Sequence, residues 1–294
     1  MKYPLLSLAL ATLSMMIFQA DAIVDTSPPV KPGSGSWAFA PNTGVSAMHM
    51  VQSGPTKMLI IDKAERNIFA IRKNGLYGLS VEYDLTATTN PAYHDKCEWI
   101  ERPIYLMSPR WYNTMVTLPD GRVFIIGGST AATSISTKSS QNPTYEFYPN
   151  IKGTQSPPFD FLLKAFPYNL YPHACVLPYG TQLFLFSGNH AAIWDYAKEA
   201  YVKNLPNING PPRTYPLTGT GLLLPLTYEN NYKPEFLVCG GGTKFGNTKA
   251  TADNTCGRID LSVGKPTWDY DTFEIPRVMG DPVILPNGKV LIVN

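Results

Sequence analysis

Charge is what this sequence is short of. Of its 294 residues only 16% are Asp, Glu, Lys or Arg, with a formal net charge of +2, whereas an average soluble domain is roughly a quarter charged. No stripe of lysine and arginine interleaved with aromatics occurs, so nothing proposes a nucleic-acid partner. The densest basic stretch, Lys63 to Lys73, reads as a solvated loop face. After Phe18 no apolar run approaches the roughly 20 residues of a membrane-spanning helix. Histidine is scarce as well: His49, His94, His173 and His190 show neither i, i+4 nor His-x-His spacing, which leaves no histidine-built metal motif. Gly240-Gly241-Gly242 lacks the strand-to-helix Gly-x-Gly-x-x-Gly context of a nucleotide site, and no Gly-x-Ser-x-Gly elbow is present. Asn142-Pro143-Thr144 carries the proline that forbids N-glycosylation.

What is abundant is proline (27), glycine (23) and aromatic side chains (12%), the profile of a turn-rich all-β chain. Residues 1–22 read as a signal peptide: Lys2 supplies the positive charge, Leu5 to Phe18 the apolar stretch, and Ala20-Asp21-Ala22 the small-x-small cleavage site. The expected mature protein is secreted, extracellular, and starts at Ile23. Residues 23–36 form a Pro/Gly/Ser-rich linker, and residues 37–294 the ordered region.

That region repeats one pattern. Met115 to Leu118 and Val123 to Ile126 are β-rich runs joined by Pro119-Asp120-Gly121, which is hairpin chemistry, and the second run stops at Gly127-Gly128. Copies follow at Tyr171 to Gly188, more loosely at Arg213 to Gly242, and at Arg277 to Asn294, with a degenerate first copy at Ala47 to Asp62. A spacing of roughly 45 to 65 residues suits a kelch-type propeller blade with long loops. The expected fold is an all-β, kelch-like β-propeller with about four to five blades, incomplete because the last copy stops in its outgoing strand and a propeller closes its ring. Phe161 to Leu163 is too short to specify a helix, and Tyr145 to Tyr148 and Ala192 to Tyr196 read as outer strands of successive blades.

Trp37-Ala38-Phe39, Ser46-Ala47-Met48-His49, Arg110-Trp111-Tyr112, Leu118-Pro119-Asp120-Gly121, Ile126-Gly127-Gly128, Tyr145 to Pro149, Leu237 to Gly241, Cys256-Gly257-Arg258-Ile259 and Arg277 to Asp281 together resemble the glyoxal oxidases, secreted relatives of galactose oxidase. The resemblance implies a copper-radical oxidase of propeller fold that converts an aldehyde or primary alcohol and O2 to acid or aldehyde and hydrogen peroxide. The radical tyrosine of that family, also a copper ligand, falls on Tyr112. Read from the repeat alone, Tyr112 is a packing residue, since Tyr171 and Tyr215 hold the same place in two other blades; the resemblance moves it to the copper reading. The family's linking cysteine belongs to a Phe-Cys-bearing hairpin upstream of Arg110, where this chain has only Thr86 to Lys96. Its Tyr-His pair and second histidine belong beyond Asn294.

The implied cofactor is therefore copper in the intact family member, with none expected on this chain, which lacks the linking cysteine and the copper histidines and is expected to be inactive by itself. The alternative is a catalytically silent secreted propeller that binds a glycan or protein partner. Expected partners are a small aldehyde or alcohol and O2, with no nucleic acid, no membrane span and a monomeric state. The resemblance also implies a Cys239 to Cys256 disulfide. Cys97 and Cys175 remain, either paired together or as buried thiols.

Overall fold

The turn at Leu118-Pro119-Asp120-Gly121-Arg122 forms as its residues dictate. The Leu118 N–H donates to the Arg122 carbonyl at 2.7 Å and the Gly121 N–H to the Leu118 carbonyl at 3.0 Å. Gly121 takes φ +84°, a conformation open to glycine, and Asp120 Oδ1 accepts the Arg122 N–H at 3.1 Å. The same bonds recur at Leu285 to Lys289, at 2.8 and 2.9 Å, with Asn287 in the place of the aspartate. Both turns are one device, placed at equivalent points of different sheets.

The computed structural model describes residues 49–54, 57–62, 79–84, 100–101, 106–131, 137–150, 153–242 and 251–293. The signal peptide, the linker, Trp37 to Phe39, Thr86 to Lys96, His94 and Cys97 lie outside the described residues. Among the described residues the strands make five antiparallel sheets. The first holds β1 (His49–Gly54), β2 (Lys57–Asp62), β3 (Leu79–Asp84) and β4 (Ile100–Glu101), and the second β5 (Thr114–Thr117), β6 (Val123–Ile126) and β7 (Tyr145–Tyr148). The third holds β8 (His173–Val176), β9 (Gln182–Ser187), β10 (His190–Asp195) and β11 (Ala200–Asn204). β12 (Thr220–Leu223), β13 (Glu235–Cys239), β14 (Thr255–Asp260) and β15 (Trp268–Thr272) make the fourth, and β16 (Asp281–Ile284) with β17 (Val290–Val293) the fifth.

In every sheet the strands lie in chain order, and the first strands touch one another in turn: β1 on β5, β5 on β8, β8 on β12, β12 on β16. Sheets that share only their leading strands around a common line are the blades of a propeller. The fold is a kelch-like β-propeller, with four blades and a two-stranded fifth sheet among the described residues.

The second strands of the second and third blades are buried on both faces, which is why they read as unbroken apolar runs rather than alternating ones. From β6, Phe124 and Ile126 enter the core between the second and third blades, while Val123 and Ile125 enter the core against the first. From β9, Leu183 and Leu185 face back to that second-to-third core, and Phe184 and Phe186 face forward to the fourth blade. The outermost strands of the third and fourth blades show the opposite balance, β11 and β15 being almost wholly exposed. Two features depart from the sequence expectation. Ala192 to Tyr196 is not the outer edge of its blade, because β11 pairs outside β10. A helix, α1 (Asp160–Ala165), does form, wedging Phe161 and Leu162 into the second-to-third core.

A buried guanidinium fastens the second blade. Arg110 Nε donates to Glu146 Oε1 at 2.6 Å, Nη1 to the carbonyls of Gly127 and Thr144 at 2.9 and 3.0 Å, and Nη2 to Thr144 Oγ1 at 2.7 Å. Burial pulls the Arg110 pKa down while the adjacent Glu146 charge holds it up. The fourth blade repeats the clip: Arg213, fully buried, reaches the Gly240 and Thr255 carbonyls, Thr255 Oγ1 and Asp253. Replacing Arg110 by Met strands the Glu146 carboxylate in the core, at a cost of about 3–5 kcal/mol. Lys164→Ala, which removes the exposed Lys164 to Asp160 pair, costs about 0.5 kcal/mol or less. Urea unfolding of both variants checks this, and equal losses would contradict it.

Candidate functional site

Successive blade starts are stitched together by backbone bonds. The Tyr171 N–H donates to the Tyr112 carbonyl at 2.9 Å, Leu170 and Tyr215 form an antiparallel bridge, and the Met279 N–H donates to the Thr218 carbonyl at 2.8 Å. Just before the inner strands of the second, third and fifth sheets the chain turns sharply on a side-chain-bearing residue: φ is 58° at Tyr112, 46° at Tyr171 and 54° at Met279. Non-glycine residues seldom adopt this left-handed region. At Tyr112 the surroundings impose it. Trp111 exchanges both backbone bonds with Ser129, at 2.8 and 2.7 Å, and Gly128 lies so near that a Cβ there would sit 2.8 Å from the Trp111 carbonyl oxygen.

The result is a cluster of phenols from three blades. Tyr112 and Tyr215 stack with centroids 4.8 Å apart and planes 13° apart. Tyr171 stands edge-on to both, at 5.3 and 5.9 Å, and Trp111 lies 5.9 Å from Tyr112. Burial, with the neighbouring Tyr112 and Tyr215 phenols, pushes Tyr171 up to about 12. Burial, the nearby Tyr112 phenol and a hydrogen bond to it raise Tyr215. Both therefore stay protonated at neutral pH. Tyr112 thus stands in the cluster, but Tyr171 and Tyr215 are its immediate company, which the sequence marked only as residues at equivalent repeat positions.

A tetragonal Cu(II) site wants imidazole and phenolate donors. The rings in contact with Tyr112 are phenols and an indole, and no three His, Cys, Asp or Glu side chains converge among the described residues. This donor set does not fit copper by itself. His190 binds Asn207 through Nδ1 at 3.1 Å. His173 packs against Phe186 and Phe236 between the third and fourth blades.

Cys239 and Cys256 face each other across β13 and β14 and are joined by a disulfide, S–S 2.03 Å. Cys175 is a free thiol whose pKa burial pushes up to about 12, so it behaves as a packing residue and not a nucleophile. A separate cleft of about 400 Å³ opens at the outer edge of β7, lined by Phe147, Pro149, Asn150, Gln155, Pro157 and Glu199 among others.

Residues 78–294 match the family described as "Glyoxal oxidase N-terminus". The chain belongs to this family. Aldehyde oxidase GLOX of Vitis pseudoreticulata is 37% identical over 209 residues, which cover 68% of this chain and 37% of that protein. Aldehyde oxidase GLOX1 of Arabidopsis thaliana is 32% identical over 213 residues, covering 68% and 33%. This glyoxal oxidase N-terminal region thus spans about a third of the length of those relatives. Among solved structures, that of YjhT superposes on 82% of this chain and 71% of its own, with a TM-score of 0.49 and 10% identity. No helix among the described residues is long and apolar enough to cross a membrane.

Within this propeller His173 gives a pH dependence. Its Nε2 is buried without a hydrogen-bond partner, and burial pushes its pKa down from 6.5 to about 4. Folding buries the neutral ring, so the contribution is complete above the unfolded value of about 6.5 and is lost as pH falls toward 4, by at most roughly 1.4 kcal/mol per pH unit. His173→Gln should therefore lose less unfolding free energy than the parent between about pH 7 and about pH 4.5. Superimposable pH profiles from urea unfolding would contradict this.

Proposed function

We propose that this chain is the propeller portion of a secreted copper-radical oxidase of the glyoxal oxidase type, which in its full-length form oxidises a small aldehyde or primary alcohol with O2 and releases hydrogen peroxide. The observation that supports this reading is the placement of Tyr112. It ends the Arg110-Trp111-Tyr112 motif inside the family match, and it is the residue the family resemblance names as radical site and copper ligand. It sits half-buried where three blade starts meet, its backbone fixed by neighbours on both sides. Fixed geometry is what a redox-active side chain needs, because a ring that shifts on losing an electron adds reorganisation energy to every turnover.

The 294-residue chain alone does not turn over in this proposal, since the groups around Tyr112 are aromatic. Loaded with copper, it gives no hydrogen peroxide from glyoxal, methylglyoxal or simple alcohols. In a full-length form that carries a Phe-Cys segment before Cys97 and the family's C-terminal ligands, turnover appears, and Tyr112→Phe abolishes both turnover and the radical's optical absorption. Copper-dependent peroxide from the short chain would overturn the inactivity claim. An active full-length Tyr112→Phe variant would return Tyr112 to a packing role.

One observation favours a second reading, a silent propeller that binds a glycan or protein partner. The cleft beside β7 sets the apolar surfaces of Phe147, Pro149 and Pro157 next to the amides of Asn150 and Gln155 and the Glu199 carboxylate. Apolar walls with a few convergent polar groups are the ordinary make-up of a binding cleft. Under that reading the full-length form also lacks oxidase activity.

A further inference from the structure

We propose that Tyr112 and Tyr215 form an oxidative coupling site: a one-electron oxidant, with no metal bound to the protein, joins the two rings as dityrosine and so ties the second blade to the fourth. Geometry carries the inference. Among the described residues the tyrosine-to-tyrosine ring contacts all fall within the Tyr112, Tyr171 and Tyr215 cluster. Coupling of two phenoxyl radicals joins ring carbons beside the hydroxyls through orbitals that stand perpendicular to each ring, so it needs two rings face to face in nearly parallel planes. Tyr112 and Tyr215 meet that need, 4.8 Å apart and within 13° of parallel. Tyr171 does not, standing 88° and 89° from them. Other buried tyrosines are surrounded differently: the ring contacts of Tyr145 are with Phe124, Phe147, Phe159 and Trp194. Exposed ones such as Tyr228, 81% accessible, couple only between molecules.

The chemistry balances with two equivalents of oxidant. Each phenol gives one electron to the oxidant and its hydroxyl proton to water. The two phenoxyl radicals then form one C–C bond, and each coupled carbon gives up its hydrogen as a proton while the ring oxygen regains one. In sum two C–H bonds are replaced by one C–C bond, and two electrons and two protons leave. Trp111, half-buried and 5.9 Å from Tyr112, is a route by which an oxidising equivalent from outside reaches the pair, since an oxidised indole is reduced by a neighbouring phenol. The site needs only the two rings, so it stands or falls separately from the copper reading.

The test uses the copper-free chain at low concentration, with photogenerated tris(bipyridine)ruthenium(III) as the one-electron oxidant. The monomer fraction is examined for dityrosine fluorescence, for loss of two hydrogen atoms in mass, and by tandem mass spectrometry for the linked peptides. The expected product joins Tyr112 to Tyr215. It is lost in Tyr112→Phe and in Tyr215→Phe, and it persists in Tyr171→Phe. A monomer without dityrosine, a cross-link mapped to another pair, or an unchanged yield in Tyr215→Phe overturns the proposal. Because the wild-type map is itself decisive, a variant that fails to fold does not leave the question open.

Discussion

The start of the second blade depends on one buried charge. The Arg110 guanidinium satisfies the Gly127 and Thr144 carbonyls, the Thr144 hydroxyl and the Glu146 carboxylate, groups that water cannot reach and that would otherwise be costly to bury. By gripping the Gly-Gly turn on one side and the start of β7 on the other, it fixes where the chain runs between Arg110 and Asn113. The Trp111 to Ser129 bridge follows, then the left-handed turn at Tyr112, then the direction of the Tyr112 ring. Arg213 does the same for the fourth blade and thereby places Tyr215. The two stacked tyrosines each lie two residues beyond a clipped arginine. In the third blade the corresponding residue is Asn169, whose amide binds the Leu162 carbonyl instead, and its tyrosine is the one that stands edge-on.

Much of this architecture could be read from the residues, for local reasons. A Pro-Asp-Gly or Pro-Asn-Gly turn depends on the backbone preferences of those residues alone, and the unbroken runs Val123 to Ile126 and Leu183 to Phe186 carry the burial of both faces in their composition. The clips, however, join residues 17 to 42 positions apart, and no local pattern announces them. Strand β11 is exposed along nearly its whole length and so lacks an apolar signature. Helix α1 has six residues, too few to display a period, and exists because Phe161 and Leu162 fill a gap between blades.

The candidate site was legible only in part. Tyr112 stood out through the family resemblance, while Tyr171 and Tyr215 were evident as residues at the same repeat position. That equivalence was the signal that could have found the cluster: in a propeller, like positions of successive blades lie side by side around one line. What sequence could not supply was the stacking of Tyr112 on Tyr215 with Tyr171 turned aside, since this is decided by the clips and by backbone geometry at each blade start.

The convergence of the three blade-start tyrosines is the claim on which the rest turns, and it can be measured directly. In deuterated protein with protonated tyrosine rings, assigned by single Tyr→Phe substitutions, the account predicts strong nuclear Overhauser contacts between the rings of Tyr112 and Tyr215 and between each of them and Tyr171. Contacts from β6 to β9 residues without any between Tyr112 and Tyr215 would show blades that pack as described but blade starts that do not meet, and would contradict it.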